Sequence, residues 1–393
     1  MTGRSSQLRI GVIGIGGRGR LADLAHMPEQ GVRVAAGADI SEVERAGFRE
    51  RYGRDAFVSH DYRELLSRTD VDAVFICSPD FLHEQHAVDA LAAGKAVYLE
   101  KPIAISTEGA DRILHEAKRG RGVLFVGHNM RHMPFVLKMR ELIQNGAIGE
   151  VKTAWCRHFV GNGGDYYFKD WHSDRRNSTG LLLQKGAHDI DILHWLCGAY
   201  TSRVTAMGGL TVYDKVLSRR GADEKVSVEA DFSNWPARNQ TKLSPVIDVE
   251  DISMVLMHLE NGVFASYQQC HFTPDYWRNY SIIGTEGRIE NAGDGARNTV
   301  IRLWNRRAGY NPEGDFVFPT PGEEGEHGGA DLAIVREFIE YVKTGIRTKT
   351  SPVAARYAVA TGHAATESLR SGSIPVDLVP LDRDVEAYFA TED

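Results

Sequence analysis

The chain has 393 residues, which is enough for two domains of about 150 residues each. Its 53 acidic and 46 basic residues give a formal net charge of -7, and no lysine or arginine cluster offers a surface for nucleic acid or an anionic membrane. Hydrophobic residues make up 42% of the chain, and no run of about 18 apolar residues would span a bilayer. We therefore expect a globular protein whose partner is a small molecule.

The cysteines indicate a reducing compartment. Four are present, widely spaced and without a Cys-x-x-Cys pair, which argues against a disulfide framework and against a structural zinc site. The first nine residues are polar, and glycines interrupt the apolar stretch that follows, so no signal-peptide pattern is recognised. We expect a cytoplasmic protein with no bound metal.

The first part of the chain alternates short apolar runs with helix-like stretches. Each run is nearly continuous in apolar residues, which is typical of strands buried on both faces of a sheet. Alternation with helices indicates βαβ crossovers and therefore an α/β domain with a doubly wound parallel sheet. The predicted strands are residues 8–13, 32–38, 71–77, 96–99 and 123–127.

A different pattern begins after Pro134 and predicts an α+β domain. Helices are predicted at 135–145 and 179–196, with a strand at 151–160 between them. Alternating segments follow and favour antiparallel strands, one pair of which is joined by a turn at Glu260-Asn261-Gly262. These segments are residues 201–213, 252–259, 262–272, 280–283 and 300–304.

Two polar stretches rich in glycine and proline, residues 221–248 and 305–329, are predicted to be surface loops or a lid. Helical periodicity returns at 330–344 and 352–370. The predicted domains are residues 1–130 and 131–351.

The strongest motif is Gly-Ile-Gly-Gly-Arg-Gly, which follows the first strand and opens a helix predicted at 21–27. In such a loop Gly14 permits the tight turn, Gly16 lets a pyrophosphate approach the backbone, and Gly19 allows close packing of helix and strand. Asp39 ends the second strand, where a carboxylate binds the ribose 2'-hydroxyl. The predicted cofactor-binding residues of this region are Gly14, Gly16, Gly17, Arg18, Gly19 and Asp39.

Arg18 and Arg20 lie in and beside this loop and leave two interpretations open. Either side chain could contact a phosphate of the cofactor, or both could be solvated charges at the start of a helix. Because the Asp39 carboxylate would repel a 2'-phosphate, NAD is the predicted cofactor and NADP is less favoured.

Two further motifs follow predicted parallel strands, at the edge where open α/β sheets bind ligands. Ser78-Pro79 comes after the run 71–77, and Glu100-Lys101-Pro102 comes after the run 96–99. A lysine held at that edge by a rigid turn can reach both the nicotinamide ribose and a substrate hydroxyl. Taken alone, Lys101 would be interpreted as a surface residue.

The helix predicted at 179–196 carries Gln184, His188 and Asp191 at i, i+4 and i+7, on one helical face. A carboxylate on that face could orient the imidazole. Lys185 and Asp189 are also four residues apart and are predicted to form a surface pair. Taken alone, His188 would be interpreted as a core histidine, and its spacing from other histidines does not favour a metal site.

Together these residues resemble the Gfo/Idh/MocA family of nicotinamide-dependent sugar and cyclitol oxidoreductases. The resemblance covers nearly the whole chain. It rests on the loop from Gly14 to Gly19, Ser78-Pro79 with His83, Glu100-Lys101-Pro102, Val126-Gly127-His128-Asn129 with Arg131 and Pro134, His188 to Asp191, and the turn Gly284-Thr285-Glu286-Gly287.

The resemblance implies an N-terminal Rossmann domain and a C-terminal domain built on a large, open, mostly antiparallel sheet. It also implies a homodimer or homotetramer formed through that sheet, and a last helix, about 352–371, that packs back on the first domain. The residues that it places at the cofactor, besides the glycine loop and Asp39, are Ser78, Pro79, His83, Glu100 and Lys101.

One position departs from the family pattern. Many family dehydrogenases carry an aspartate where this chain has Gln184, so the lysine, aspartate and histidine set is incomplete here. Glutamine can bind a hydroxyl but cannot carry a proton, so the substrate geometry or the direction of catalysis is expected to differ.

The leading hypothesis is a reversible hydride transfer between NAD and a secondary alcohol of a sugar or cyclitol. His188 is the expected proton acceptor, since its ordinary pKa is about 6.5. Lys101 would bind the reacting oxygen and stabilise its developing negative charge. The expected substrate contacts are Trp171, His172, Gln184 and Asp191, although the aromatic segment at 166–172 could equally be a loop held by buried rings.

Two alternatives remain open from the sequence. The Gly-Gly-Arg-Gly form of the loop is similar to that of NAD-dependent glycosidases, which suggests a redox-neutral hydrolase or lyase that acts through transient oxidation. The Lys-Gly-Ala-His sequence on the helix does not match those enzymes. A protein that senses NAD without catalysis is the second alternative, and the presence of both Lys101 and His188 argues against it.

Overall fold

A computed structural model of the chain describes residues 7–222, 224, 229–294, 299–321, 329–346 and 348–390. Parts of the two predicted polar stretches, residues 223, 225–228 and 322–328, lie outside the described residues, as do residues 1–6 at the polar start of the chain. Contacts within the chain divide it into two compact units. The first comprises Met1–Asn129, Ala330–Arg356 and Leu381–Asp393, and the second comprises Met130–Gly329 and Tyr357–Pro380.

Within the described residues, six strands of the first unit form a parallel sheet in the order β3-β2-β1-β4-β5-β6. The order reverses next to β1, which creates the crevice where doubly wound sheets bind nucleotides. Every residue of β4 and of β6 is buried, which explains the continuous apolar runs and confirms the predicted fold class. The strands are β1 (Leu8–Ile13), β2 (Val32–Ala38), β3 (Phe57–Ser59), β4 (Ala73–Ile76), β5 (Ala96–Glu100) and β6 (Leu124–Gly127).

The helices of the first unit include two from far along the chain. The α-helices are α1 (Glu42–Tyr52), α2 (Tyr62–Leu66), α3 (His83–Ala92), α4 (Thr107–Gly120), α9 (Ala330–Thr344) and α11 (Arg383–Phe389), and the helix predicted at 21–27 is a 3-10 helix at Gly17–Ala25. Phe338 of α9 packs edge-on against Phe75 of β4, with ring centroids 5.3 Å apart. The structure therefore places α9 with the first unit, whereas the division at 131–351 had assigned it to the second domain.

The second unit is built on a large sheet, and the described part of it has nine strands in the order β14-β13-β12-β11-β7-β10-β9-β8-β15. Strands β7 and β10 are parallel, and the other neighbours are antiparallel, as predicted. The strands are β7 (Val151–Val160), β8 (Thr201–Gly209), β9 (Ile252–Leu259), β10 (Phe264–Cys270), β11 (Tyr276–Gly284), β12 (Arg288–Ala292), β13 (Val300–Trp304), β14 (Phe316–Pro319) and β15 (Val376–Asp377).

One turn of this sheet was predicted from the sequence, and one strand was not. The turn at Glu260-Asn261-Gly262 joins β9 to β10, and Gly262 has a φ of 82°, which favours glycine. Strand β14 lies in the stretch predicted as loop at 305–329. The sequence did not reveal this strand, because its residues are mostly exposed and lack the alternation of a half-buried strand.

Helices pack against this sheet, and the predicted helix at 179–196 is interrupted. The helices are α5 (Pro134–Gln144), α6 (Arg175–Ser178), α7 (Leu181–Gln184), α8 (Gly186–Cys197) and α10 (Pro352–Arg370). Helix α10 is divided between the units, since the first includes its residues up to Arg356 and the second those from Tyr357. Packing of this helix on the first domain stays a prediction. Among the described helices, none has both the length and the apolarity that a bilayer span requires.

Candidate functional site

The glycine loop of the first unit folds so tightly that two of its positions exclude a side chain. Gly14 has a φ of 80°, and a Cβ there would lie 2.7 Å from the amide nitrogen of Ser78. A Cβ on Gly19 would lie 2.1 Å from the carbonyl oxygen of Gly14. Gly16 and Gly17 complete the turn, from which the 3-10 helix at Gly17–Ala25 begins. The loop has the geometry expected of a pyrophosphate-binding turn, except that Gly19 contacts the loop itself.

Asp39 follows β2 and turns its carboxylate toward this loop. Oδ2 accepts a hydrogen bond from the Ile15 amide at 3.0 Å, and Oδ1 accepts one from the Ser41 amide at 2.8 Å. A carboxylate has about four acceptor positions, so it can still accept hydroxyl groups of a ribose. The loop and Asp39 therefore fit an adenosine ribose with free hydroxyls.

Arg18 has a role that neither interpretation of the sequence described. Its Nε donates to Glu100 at 2.9 Å, and its two terminal nitrogens donate to both oxygens of Asp331 at 2.7 and 2.8 Å. Burial opposes the charge, but Glu100 and Asp331 outweigh burial and raise the pKa of Arg18. This ion network joins the loop to β5 and α9. Sequence reasoning missed Asp331, because no local pattern links residues 313 positions apart.

His83 connects the two motifs at the ends of β4 and β5. Its Nε2 lies 2.8 Å from the Ser78 carbonyl oxygen and its Nδ1 lies 2.7 Å from that of Pro102. Burial lowers the pKa of His83 despite these carbonyl contacts. Pro79 caps the turn that leads to His83. The backbone on both sides of Lys101 is thus fixed, since the Lys101 amide also donates to Glu100 at 3.1 Å.

In the second unit, Gln184 ends α7 and His188 lies in the first turn of α8. Both side chains are buried. The Gln184 Oε1 atom has no hydrogen-bond partner among the described residues. Gly186 lies between Gln184 and His188 in the sequence. A Cβ there would be 3.1 Å from the Tyr267 ring, so a larger residue would crowd that ring.

Asp191 contacts an arginine with both carboxylate oxygens. Arg131 donates to them from Nε at 2.7 Å and from a terminal nitrogen at 2.6 Å, and both side chains are buried. Asp191 thereby ties α8 to the turn at Asn129–His132. The sequence analysis had expected it to orient His188 and bind substrate.

The predicted surface pair of Lys185 and Asp189 is wrong, because Asp189 is completely buried. Its oxygens lie 2.8 Å from His158 Nδ1 and 2.9 Å from Arg278 Nε. Tyr267 and Tyr280 also donate hydroxyl hydrogen bonds to it. Burial opposes ionisation, but Arg278 and His158 outweigh it and lower the pKa of Asp189.

Lys185 lies at the break between α7 and α8 and faces two aromatic rings. Its Nζ is 5.6 Å from the ring centroid of Tyr167 and 5.8 Å from that of Tyr276. Burial lowers the pKa of Lys185. The two ring contacts of Lys185 are a feature that the sequence analysis missed.

The aromatic segment at 166–172 is held by buried rings, and two of its side chains are partly exposed. Phe168 is buried against Tyr213, with ring centroids 4.2 Å apart. Trp171 and His172 stack with centroids 3.7 Å apart and remain partly exposed. Buried rings thus hold the segment, while Trp171 and His172 stay accessible to a ligand. Within the described ranges, no group of three or more His, Cys, Asp or Glu side chains could hold a metal ion.

Family profiles match both units. Residues 8–128 match "Oxidoreductase family, NAD-binding Rossmann fold", and residues 140–378 match "Oxidoreductase family, C-terminal alpha/beta domain" of the same Gfo/Idh/MocA group. The chain belongs to this oxidoreductase family. The suspected resemblance is confirmed, and the first unit is an NAD-binding Rossmann domain.

Proteins similar to this chain include several that are named as dehydrogenases or oxidoreductases. The chain is 26% identical to the myo-inositol 2-dehydrogenase of Thermotoga maritima over 92% of this chain and 96% of that protein. It is 25% identical to the putative oxidoreductase YteT of Bacillus subtilis over 72% and 75% of the two chains. A levoglucosan dehydrogenase solved with NADH and levoglucosan superposes with a TM-score of 0.78 at 20% identity, covering 95% of this chain and 100% of that one. The last comparison shows a shared fold.

We predict that this Gfo/Idh/MocA member binds NAD at least about tenfold more tightly than NADP, because the Asp39 carboxylate repels a 2'-phosphate. Replacing Asp39 with asparagine should narrow that difference, mainly by weakening NAD binding. Calorimetric titration of both nucleotides into wild type and Asp39→Asn measures the effect. Asp55→Asn, at an exposed position away from the loop, is the matched control. Equal affinities in the wild type would contradict the assignment of Asp39.

Proposed function

We propose that this oxidoreductase transfers a hydride between NAD and a secondary hydroxyl of a sugar, sugar derivative or cyclitol. Support comes from relatives in the same family that are named as inositol 2-dehydrogenases, including one from Burkholderia ambifaria that is 33% identical over 50% of this chain. A cytoplasmic location stays part of the proposal, in keeping with four cysteines that are all free.

The proposal depends mainly on the hydrogen bonding of one atom, Oε1 of Gln184. This acceptor is buried without a hydrogen-bond partner among the described residues, and Gln184 lies four residues before His188, across the break at Lys185. Leaving a buried polar atom unpaired is costly, so such atoms in native structures call for a ligand or another cause. A hydroxyl of a polyol would donate the missing hydrogen bond and would present its neighbouring carbon to the same region.

The catalytic roles follow from the chemistry of the side chains. When bound, NAD supplies the hydride acceptor for alcohol oxidation. His188 takes the hydroxyl proton, since an imidazole can act as the general base for an alcohol. Lys101 donates a hydrogen bond to the reacting oxygen and stabilises its negative charge. Gln184, Trp171 and His172 contact the rest of the substrate.

The other predicted site residues divide into two groups. Gly14, Gly16, Gly17 and Gly19 hold the pyrophosphate, and Asp39 binds the ribose. The second group acts by positioning, and it consists of Arg18, Glu100, Ser78, Pro79 and His83 around the cofactor and Asp191 beneath α8. This division is supported by the partners that Arg18, Glu100, His83 and Asp191 already have within the protein.

Changing either proposed catalytic residue should stop turnover without preventing cofactor binding. Lys101→Ala and His188→Ala are each expected to lower kcat by at least about 100-fold, because a positioned acid, base or charge donor is lost. Neither residue belongs to the phosphate loop, so NAD affinity should change little. His60→Ala and Lys152→Ala, at exposed positions, are the matched controls. Near-normal turnover of His188→Ala would exclude its role in proton transfer.

The assay that identifies the reaction is a panel of sugars and cyclitols with NAD, followed by the absorbance of NADH. Net accumulation of NADH together with a ketone product is expected. Product formation with no net NADH would instead indicate the redox-neutral reaction that the Gly-Gly-Arg-Gly loop suggested.

Gln184→Glu should impair substrate recognition rather than NAD binding. The variant keeps the size of the side chain but replaces an amide donor by a buried charge. We expect kcat/KM to fall by about tenfold or more, with NAD affinity nearly unchanged. Steady-state kinetics and nucleotide titration measure the two effects, and Gln144→Glu at the exposed end of α5 is the control. A change in thermal stability alone would make Gln184 a packing residue.

An apolar patch on the large sheet supports a homo-oligomer. Met207, Met254, Leu256 and Phe264 lie on the neighbouring strands β8, β9 and β10, and each is more than 40% exposed, at 58%, 43%, 66% and 64%. A contiguous exposed apolar patch of this kind marks an interaction surface. We propose that this apolar sheet patch joins two copies of the chain in a homodimer, which could pair further into a homotetramer.

Leu256→Glu should dissociate that oligomer, because it places charges within the apolar sheet patch. The expected result in sedimentation velocity is a change from the oligomer to the 43.6 kDa monomer. Leu217→Glu is the control, since Leu217 is 91% exposed and lies outside the strands. A monomeric wild type would contradict the proposed interface.

A further inference from the structure

A cavity of about 350 Å³ lies in the second unit, between the loop that follows β7 and residues 230–240. Its size is within the range of small-molecule sites, about 300–1,000 Å³. We propose that this cavity binds a second sugar ring, so that the substrate is a neutral glycoside of two rings rather than one free sugar. The inference rests on the proposed function and adds the substrate class.

Aromatic side chains form the apolar walls of the cavity. Trp235 and Tyr276 line it and are 46% and 44% exposed. Tyr213 is buried and fixed, since its hydroxyl donates to the His271 carbonyl oxygen at 2.8 Å. Flat aromatic faces pack well against the carbon-bound hydrogens of a sugar ring while the ring edges stay available for polar contacts. The walls therefore suit a pyranose better than an extended aliphatic ligand.

The cavity also contains a buried acceptor without a partner. Gln240 is 5% exposed, and its Nε2 donates to Asp165 at 2.8 Å. Its Oε1 has no hydrogen-bond partner in the part of the chain that the structure describes. This situation repeats that of Gln184, and a hydroxyl of a second ring would satisfy the acceptor.

The charges of the lining select against anionic ligands. Asp165, Asp231 and Asp275 line the cavity, and the Lys169 ammonium lies 3.7 Å from Asp165. Three carboxylates with one cation leave a negative environment that accepts hydroxyl hydrogen bonds. A uronate or a sugar phosphate would be repelled, whereas a neutral hexose ring would be accepted.

The wall of the cavity is closely packed, and two of its backbone contacts require glycine. A Cβ on Gly161 would lie 2.4 Å from the Asp275 carbonyl oxygen. A Cβ on Gly164 would lie 2.7 Å from the Tyr213 hydroxyl oxygen and 2.9 Å from Gln240 Cγ. Glycines at these positions let the loop press against the residues that line the cavity.

Tyr276 connects the cavity with the helix that carries the proposed catalytic histidine. Its ring faces the Lys185 ammonium at 5.8 Å, and Lys185 directly follows Gln184. Tyr276 is therefore shared by the cavity and by the segment that joins Gln184 to His188, and we expect the second ring to extend from that segment into the cavity. This arrangement matches two linked rings and leaves the outer one unreacted.

The test compares monosaccharides with disaccharides that contain them. Glucose, galactose, maltose, cellobiose and lactose are assayed with NAD, and glucuronic acid glycosides serve as anionic probes. We expect kcat/KM for at least one neutral disaccharide to exceed that of its monosaccharide by about tenfold or more. Trp235→Ala should reduce that ratio toward one, whereas Tyr310→Ala, at an 83% exposed aromatic outside the cavity, should not.

Two outcomes would overturn the inference. If monosaccharides reduce NAD as well as disaccharides do and Trp235→Ala leaves the ratio unchanged, the cavity does not bind a second ring, while the proposed function stands. If no sugar yields NADH, the proposed function fails. Calorimetric titration of the same disaccharides then tests, independently of activity, whether the cavity binds them. Binding that Trp235→Ala weakens by about tenfold would support the cavity, and absence of binding would exclude it.

Discussion

The position of helix α8 depends on one buried carboxylate. Asp189 receives hydrogen bonds or ion pairs from His158 on β7, Tyr267 on β10 and Arg278 and Tyr280 on β11. Removing one partner from a buried pair of this kind typically costs about 3–5 kcal/mol. The helix is therefore fixed to three strands at the residue next to His188. Because His158 has its pKa lowered to about 3, first by burial and then by Arg278, it donates to Asp189 as a neutral ring.

The same design recurs in the first unit, where the Arg18 guanidinium holds the glycine loop. Of its two carboxylate partners, Glu100 is the last residue of β5 and Asp331 lies in the first turn of α9. Glu100 also accepts from the Lys101 amide, so the network that fixes the loop also fixes the backbone of the proposed catalytic lysine. In both units, a network of ion pairs and hydrogen bonds includes the residue next in sequence to one that is proposed to act on substrate. Such support keeps a functional side chain within the narrow geometry that catalysis requires.

The sequence predicted what short-range patterns encode. Continuous apolar runs revealed the parallel strands, alternation revealed β9 and β13, and Gly14, Gly19 and Asp39 marked the nucleotide loop. It could not predict the partners of Asp191, Asp189 or Arg18, because those partners lie on remote elements. A spacing of four residues suggested that Lys185 would pair with Asp189, yet helical spacing describes only neighbours on one helix. The fold brought Arg278 to Asp189 instead, and left Lys185 facing Tyr167 and Tyr276.

Specificity should then reside in the polar atoms that the protein leaves unsatisfied. The carboxylates of Asp189 and Asp191 already bind arginines of the fold, so we expect them to contribute less to the discrimination of ligands than a polar atom without a partner does. Gln184 and Gln240 each keep a buried Oε1 atom without a partner among the described residues. A site with such an acceptor rejects ligands that lack the matching hydroxyl far more strongly than an apolar pocket rejects a missing methylene. Two such acceptors on separate parts of the second unit would each accept a hydrogen bond from a different hydroxyl group. A protein can distinguish in this way among sugars of similar size.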